Sequence, residues 1–597
     1  MNGRGAKKYH YISVAGALLV FWLVNRMAEQ YRTASGQAVE KLEKATELKL
    51  IFRQPFRLSF FGSDLLWGLL AVAVLAGIYI YFFIARRPRM PGKEYGSAEW
   101  GNENTIKPLI DANPDNNIIL TETERLSMSS RMLRTSEDDF NRNKNVLIVG
   151  GSGSGKTRFY VKPNLLQMNC NYVITDPKGA LLQECGHALA ANGYKIKVFD
   201  LKNRENSGRY NMLAYVQNED DIVKLAKNII TNLKPDPRVQ SSSDPIWEEG
   251  MTGLLESLIS FVMTELPEKE RNMVSVMELF RLLSIRIEDD KEICPLDNVF
   301  NDLKKRKPDS FALKQYEIYK MASPKTAQSI NVSLGLRLNS FNIPSVARIV
   351  ADDDLNLDEL GTDEKVALFI ILPDTTRAYN FLAAVMYQQL FDRLVTKADT
   401  SGNFRLPRHV RFILDEFANL GQIPDFEVLI ATIRQREISV NIILQSLSQL
   451  ESLYKNDWRT IVDNCDSFLY LGGVASTESL EFVSKRLGKG TIETTNITEQ
   501  RSGQGGMSKS LQLIGRELML PDEISRMKRR YCILIITGLP PFFSRKYNLE
   551  KHPRYALLED ADKNNRFDPA RDGALAFFSN VKGVMDIEMD FSELNCI

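Results

Sequence analysis

The chain is poor in the residues that staple or metallate small folds. Its 597 residues include six cysteines, Cys170, Cys185, Cys294, Cys465, Cys532 and Cys596, and no two stand in C-x-x-C spacing. That scatter argues against a disulfide framework and against a zinc site, and it suits a soluble part held in a reducing cytosol. An excess of one charge is missing as well: 76 Lys and Arg against 75 Asp and Glu leave a formal net charge of +1. Any contact with nucleic acid must then come from a local basic surface and not from bulk charge. No internal repeat or long low-complexity tract occurs, and 44% apolar with 25% charged residues is a folding composition. The length exceeds what one core supports, roughly 250–300 residues, so several domains are expected.

What is present begins with a phosphate-binding loop. Gly150, Gly151, Ser152, Gly153, Ser154, Gly155, Lys156 and Thr157 follow the apolar run Asn145–Val149, and Arg158 to Met168 reads as a helix interrupted by Pro163. Strand, loop and helix therefore come in the order the motif needs. Its glycines let backbone N–H groups turn toward phosphates, Lys156 reaches the β- and γ-phosphates, and the Thr157 hydroxyl is placed for Mg²⁺. Gly150 through Arg158 are the expected nucleotide-binding residues, with ATP and Mg²⁺ as the expected ligands.

Two apolar segments lie near the N-terminus. Leu65 to Ala85 carries no charge, is long enough for ~30 Å of hydrocarbon, and is followed by Arg86-Arg87-Pro88-Arg89. It reads as a transmembrane helix. Tyr11 to Val24 is shorter and spans if its flanks, Tyr9 and Arg26, snorkel; a signal peptide is the alternative, though no small-residue cleavage site follows. Because the phosphate loop requires cytosolic nucleotide, the chain after Ala85 is expected in the cytoplasm, with residues of about 30 to 58 as a short outside loop.

Short apolar runs recur at Tyr172–Thr175, Ile196–Phe199, Val366–Leu372, Val410–Leu414, Val440–Leu444, Ser467–Leu471 and Tyr531–Thr537, most with helical stretches between. That alternation predicts an α/β fold with a mostly parallel sheet covered by helices. Between Ala214 and Asp354 apolar residues fall at helical spacing, as in Ile222-Leu225-Ile229 and Leu254-Leu258-Phe261, without a convincing strand; an inserted all-α domain is expected there. Arg501 to Ser510 reads as a Gly/Ser loop, and the stretch after Lys551 as irregular and locally acidic near Asp586, Glu588 and Asp590. The expected divisions are 1–89 as a two-helix membrane anchor, 90–213 and 355–550 as the two parts of a nucleotide-binding domain, 214–354 as the α-domain, and 551–597 as a tail.

Arg411-Phe-Ile-Leu-Asp415-Glu416 is an apolar run ending in two carboxylates. Asp415 is placed to hold the Mg²⁺ water shell, and Glu416 to take a proton from water attacking the γ-phosphate. Alone, such a pair also serves as a turn or a helix-start charge. Val440–Leu444 ends in Gln445, whose amide would sense or orient the attacking water if the two strands are neighbours; the bland alternative is a helix cap. Arg434, with Arg436 beside it, is a candidate for a cation that acts on a neighbouring subunit's nucleotide, the alternative being a solvated arginine.

Taken together, the phosphate loop, Ile174-Thr175-Asp176-Pro177-Lys178-Gly179, Arg209-Tyr210-Asn211, Asp244-Pro245-Ile246-Trp247, Leu414-Asp415-Glu416-Phe417 and Leu444-Gln445-Ser446 resemble type IV secretion coupling proteins of the TraG/TraD class. Gly96-Ser97-Ala98, Pro540-Pro541 and the two-helix anchor are similar too, so the resemblance covers nearly the whole chain. It implies a RecA-like P-loop NTPase domain with an all-α cap, a homo-hexamer in the cell membrane, and conjugative delivery of relaxase-bound single-stranded DNA to a type IV secretion channel. It implies the trans-acting role for Arg434. The wording of linker and tail is most similar to coupling proteins of mobile elements from Gram-positive bacteria. Two other readings stay open: a chromosome-segregation translocase of the FtsK type, and a docking receptor in which nucleotide serves assembly and nothing is pumped.

Overall fold

The structure, a computed structural model, describes residues 3–85, 93–129, 142–233, 245–284, 286–288, 291–373, 376–474, 476–500 and 506–572. Arg86, Arg87 and Arg89, Asp244, and the acidic residues near 586–590 lie outside the described residues. The chain divides into two compact units, Met1–Tyr95 with Thr491–Ile514, and Gly96–Gly490 with Gly515–Ile597.

In the larger unit every apolar run expected as a strand is one. The strands of the main sheet are β1 Val146–Val149, β2 Asn171–Asp176, β3 Lys195–Asp200, β4 Val366–Ile371, β5 Val410–Leu414, β6 Ile438–Leu444, β7 Ser467–Tyr470, β8 Tyr531–Ile536 and β9 Phe542–Arg545. They form a 9-stranded sheet in the order β9-β8-β7-β1-β6-β5-β2-β4-β3. From β7 to β3 the pairing is parallel, and β8 and β9 close one edge antiparallel. Alternate residues enter different cores: Leu147, Phe412 and Ile442 on one face, Ile148, Ile413 and Ile443 on the other. Both faces are therefore covered, which is why these strands read as unbroken apolar runs.

The insertion between β3 and β4 is built from the helices Glu219–Asn232, Pro245–Glu265, Met273–Arg281, Pro295–Arg306, Phe311–Lys320, Pro324–Leu338 and Pro344–Val350. Asn218, Asn272, Ser310 and Ser323 cap four of them by accepting first-turn N–H groups. Phe300 stacks on Tyr316 at 4.0 Å, and the buried Leu254, Leu258 and Phe261 belong to a core continuous with one face of the sheet. One feature departs from the all-helical expectation: Arg286–Glu288 and Lys291–Ile293 pair as antiparallel strands. Three residues are too few for alternation to register in the sequence.

The Gly/Ser reading of residues 501–510 also changes. Lys489–Gln500 and Gly506–Glu517 are strands of a two-stranded sheet, so Gly506 to Ser510 are strand and residues 501–505 lie outside the described residues. The β-branched run Thr491, Ile492, Thr494, Thr495, Ile497 and Thr498 is the signal that favours extended backbone there.

In the smaller unit the first helix runs Gly3–Thr33, well beyond Tyr11–Val24, and lies antiparallel to Gly62–Ala85. Arg32 meets Asp64 at 3.1 Å, and Phe21 packs on Gly68. Among the described residues one helix, Gly62–Tyr81, is long and apolar enough to cross a membrane. The helix holding Tyr11–Val24, expected as a second crossing, is not of that kind, and beyond Val24 it carries Asn25, Arg26, Glu29 and Arg32. The expected outside loop holds two further helices, Ala38–Thr46 and Leu48–Phe52.

Candidate functional site

β1 delivers the chain into Gly150–Thr157, which is held from two sides. The Gly150 N–H donates to Leu444 O at 3.1 Å and the Gly151 N–H to Gly472 O at 3.0 Å. A Cβ on Gly151 would stand 1.8 Å from the Gly473 carbonyl oxygen, so only glycine permits this approach. Gly155, at φ +82°, turns the loop into the helix. Thr157–Val161 is a π-helical turn that passes into the α-helix Lys162–Leu166. The wider turn relieves the clash Pro163 would otherwise make with the carbonyl four residues earlier, so the expected interruption becomes a local widening.

Lys156 Nζ donates to Gly150 O at 2.8 Å and Gly151 O at 3.3 Å. Burial lowers its pKa, opposed by the nearby Asp415 and Glu416. The Ser154 hydroxyl is buried and has no hydrogen-bond partner among the described residues. A loop with converging backbone N–H groups, a cation and an unspent hydroxyl suits a polyphosphate.

β5 and β6 are neighbours, and β6 is also next to β1. Their C-terminal ends therefore meet at the loop. Thr157 Oγ1 donates to Asp415 Oδ2 at 3.2 Å. Burial pushes the Asp415 carboxyl up to about 6, against the opposing pull of Lys156. Threonine hydroxyl and carboxylate form an oxygen donor set of the kind that holds Mg²⁺. Glu416 sits in left-handed backbone at φ +51°, an arrangement that costs a non-glycine residue about 1 kcal/mol and aims its side chain. Its Oε1 accepts from Gln445 Nε2 at 3.3 Å and its Oε2 from Asn419 Nδ2 at 2.9 Å.

Lys156, Thr157, Asp415, Glu416 and Gln445 are thus brought together. Arg158 is turned elsewhere: its guanidinium pairs with Glu550 at 3.0 Å and approaches Asp560 at 3.8 Å. Arg434 lies beyond the other end of β6, whose seven residues span about 23 Å. There it lines a cleft of about 560 Å³ with Arg142, Lys144, Phe404 and Arg405. Arg436 is held by Asp399, with Nε–Oδ1 2.7 Å and Nη2–Oδ2 3.0 Å.

Three contributors escaped the sequence reading. Lys546, just past β9, is buried and donates from Nζ to Ser154 O at 2.9 Å. The Gly472-Gly473 pair after β7 abuts the loop; its tandem glycines were the available signal. The third is Arg411, fully buried within β5. It donates to Asn164 Oδ1 at 3.2 Å, Tyr160 OH at 3.1 Å and Asn441 Oδ1 at 3.0 Å, and Tyr160 OH is also hydrogen-bonded to Asn441. One guanidinium therefore ties the helical segment after the loop to β5 and β6, four residues before Asp415 and Gln445 respectively.

A parallel sheet with the phosphate loop on β1, a carboxylate pair at the end of β5 and a glutamine at the end of the intervening β6 defines a RecA-like P-loop NTPase fold carrying a helical insertion. Residues 93–557 match the family described as Type IV secretory system Conjugative DNA transfer, and the chain belongs to that family. It is similar to the conjugal transfer protein TraG of Rhizobium radiobacter, 24% identical over 404 residues, covering 66% of this chain and 60% of TraG. It is also similar to VirD4 of Rhizobium radiobacter, 20% identical over 409 residues, covering 67% of this chain and 56% of VirD4. The match therefore spans less than two thirds of these relatives. Among solved structures, the bacterial conjugative coupling protein TrwBdeltaN70, in a trigonal form with sulphate, shares the fold with TM-score 0.54 and 17% identity, over 78% of this chain and 98% of that one.

Proposed function

We propose that this chain is a membrane-anchored, ATP-driven DNA translocase and substrate receptor that couples relaxase-bound single-stranded DNA to a type IV secretion channel in conjugation. The observation that carries the reading is the Thr157–Asp415 contact beside the Glu416–Gln445 pair at the mouth of the phosphate loop. Membership of a conjugative DNA-transfer family supports DNA as cargo and favours this reading over an FtsK-type translocase. In the reading, residues 1–89 anchor the chain through two helices with both ends in the cytoplasm, 90–213 and 355–550 make the motor, and subunits assemble as a homo-hexamer. The α-domain 214–354 selects cargo, and 551–597 is a tail.

Backbone amides of Ser152–Lys156 and the Lys156 ammonium bind the triphosphate, exchanging the present Lys156 contacts with loop carbonyls for phosphate oxygens. Thr157 and Asp415 would hold Mg²⁺, which when bound neutralises charge on the β- and γ-phosphates. Glu416 accepts the proton of the attacking water on Oε1 or Oε2, and Gln445 orients that water and Glu416 together. Arg434, beyond the far end of β6 from its own loop, serves a neighbour's site.

The test is ATP turnover by the full chain in lipid nanodiscs, with and without single-stranded DNA. DNA should stimulate turnover, and Lys156→Ala should abolish it while leaving membrane insertion intact. Tight nucleotide binding without turnover under both conditions would replace the motor with a docking receptor.

A further inference from the structure

The segment between the two N-terminal helices turns its rings outward, while polar contacts tie it to Asn25, Glu29, Arg32 and Asp64 of the flanking helices. Phe52, Phe56, Phe60 and Phe61 are exposed, Phe56 at 97% and Phe60 at 84%. The polar groups around them are tied down. Asn25 Nδ2 donates to Ser59 O at 3.1 Å, and the Ser59 N–H returns a bond to Asn25 Oδ1 at 2.9 Å. Glu29 pairs with Arg57 at 2.9 Å and with Arg26. Asp64 accepts from Ser59 Oγ at 2.7 Å and pairs with Arg32, whose guanidinium also lies 4.0 Å over the Phe61 ring. The preceding helix Ala38–Thr46 adds exposed Val39 and Leu42, three apart and so on one face, near the half-buried Lys41.

Rings held outward on a pinned segment mark an interaction surface, and their position identifies what covers them. Phe61 O accepts from the N–H groups of Asp64 and Leu65 at 3.0 and 3.1 Å, which puts Phe61 on the first turn of the Gly62–Tyr81 span. Phe60 and Phe61 therefore sit where hydrocarbon gives way to headgroups. Phenylalanine alternates with arginine at Phe52-Arg53 and Phe56-Arg57, the mixture that an interface accepts with rings among acyl chains and cations among phosphates. Both buried carboxylates, Glu29 and Asp64, have arginine partners, as a low-dielectric edge requires.

We propose that residues 38–61 lie flat in the lipid interface, with Phe52, Phe56, Phe60 and Phe61 in the acyl boundary and Lys41, Lys49 and Arg53 on phosphate-bearing headgroups, instead of projecting as a free outside loop. The segment acts as a collar that sets the depth and tilt of the span. This rests on the membrane-anchor reading of Gly62–Tyr81.

The test uses the full chain, with Cys294 and Cys596 changed to Ser, in nanodiscs of phosphatidylcholine and phosphatidylglycerol. Single nitroxide labels are placed by Phe56→Cys, Phe60→Cys, Gln37→Cys and Leu75→Cys. Collision rates with oxygen, which partitions into lipid, are compared with those of a water-soluble nickel chelate. Labels at 56, 60 and 75 should favour oxygen several-fold and the label at 37 the chelate. Lys49→Gln with Arg53→Gln should move the label at 56 toward the chelate. Chelate preference at 56 and 60 with oxygen preference kept at 75 would overturn the collar alone. Chelate preference at 75 as well would overturn the anchor itself. Shielding of 56 and 60 from both probes would overturn the collar in favour of a protein contact.

Discussion

The Thr157 hydroxyl and the Asp415 carboxylate lie 3.2 Å apart across 258 residues of sequence. That contact joins the helix leaving the phosphate loop to the end of β5, and it exists because β6 stands between β1 and β5, all three parallel, so that their C-terminal ends lie at the same edge of the sheet. Glu416, the next residue, then faces the same space as Lys156.

Replacing Glu416 with Gln keeps the size and one of the two bonds accepted from Asn419 and Gln445 but removes the proton acceptor. Nucleotide affinity should stay within a few-fold while turnover falls by about 10²–10⁴. Binding measured with a fluorescent ATP analogue, alongside steady-state phosphate release, separates the two. Lost affinity with unchanged turnover per bound nucleotide would make Glu416 a structural residue.

Arg434 and Arg436 should differ sharply. Arg436 is occupied by Asp399, so Arg436→Ala should leave turnover within a few-fold. Arg434 has no ion-pair partner among the described residues, and Arg434→Ala should silence turnover of assembled protein while sparing nucleotide binding. Mixing Arg434→Ala with Lys156→Ala subunits should restore part of the activity, since some interfaces then carry one intact site. Absence of recovery in rings shown by mass to be mixed would count against action in trans.

Arg411→Met removes the donor shared by Tyr160, Asn164 and Asn441 while filling similar volume. Three buried acceptors lose a charged partner, and a destabilisation of about 1–3 kcal/mol is expected. Thermal unfolding should shift down by several degrees, on the order of 2–4 °C per kcal/mol for a domain of this size. An unchanged melting temperature would mean that the acceptors re-pair among themselves.

His409 lies between Glu437 at 2.9 Å and Ser439 at 2.8 Å, and burial lowers its pKa to about 4, with Lys144 and Arg411 adding to the effect and Glu437 opposing it. The unfolded chain takes up this proton near pH 6.5 and the folded chain only near 4. Its contribution is therefore intact above pH 6.5 and is lost as pH falls from 6.5 to 4, by as much as about 3 kcal/mol. Melting temperatures recorded from pH 7.5 to 4.5 should drop less for His409→Gln than for the parent. Parallel curves would assign the acid sensitivity to other groups.

What the sequence determined by itself was local. Asn145 to Met168 carries strand, loop and helix in one stretch, and the other apolar runs identify buried strands because residues covered on both faces must be apolar throughout. The apolar helix read from Leu65 to Ala85 and the carboxylate pair Asp415-Glu416 were readable for the same reason: each is written in consecutive residues. The tertiary structure decided what depends on which strand lies beside which. Periodicity encodes the face a residue presents and not its neighbour across a parallel sheet, where consecutive partners are tens to hundreds of residues apart. Only the sheet order places Gln445 on Glu416, brings Lys546 and Gly473 to the loop, buries Arg411 among Tyr160, Asn164 and Asn441, and assigns Arg158 to Glu550 and Arg436 to Asp399. A charged side chain is equally at home on a solvated face or in a pair, and its partner is chosen by packing that no short window of sequence contains.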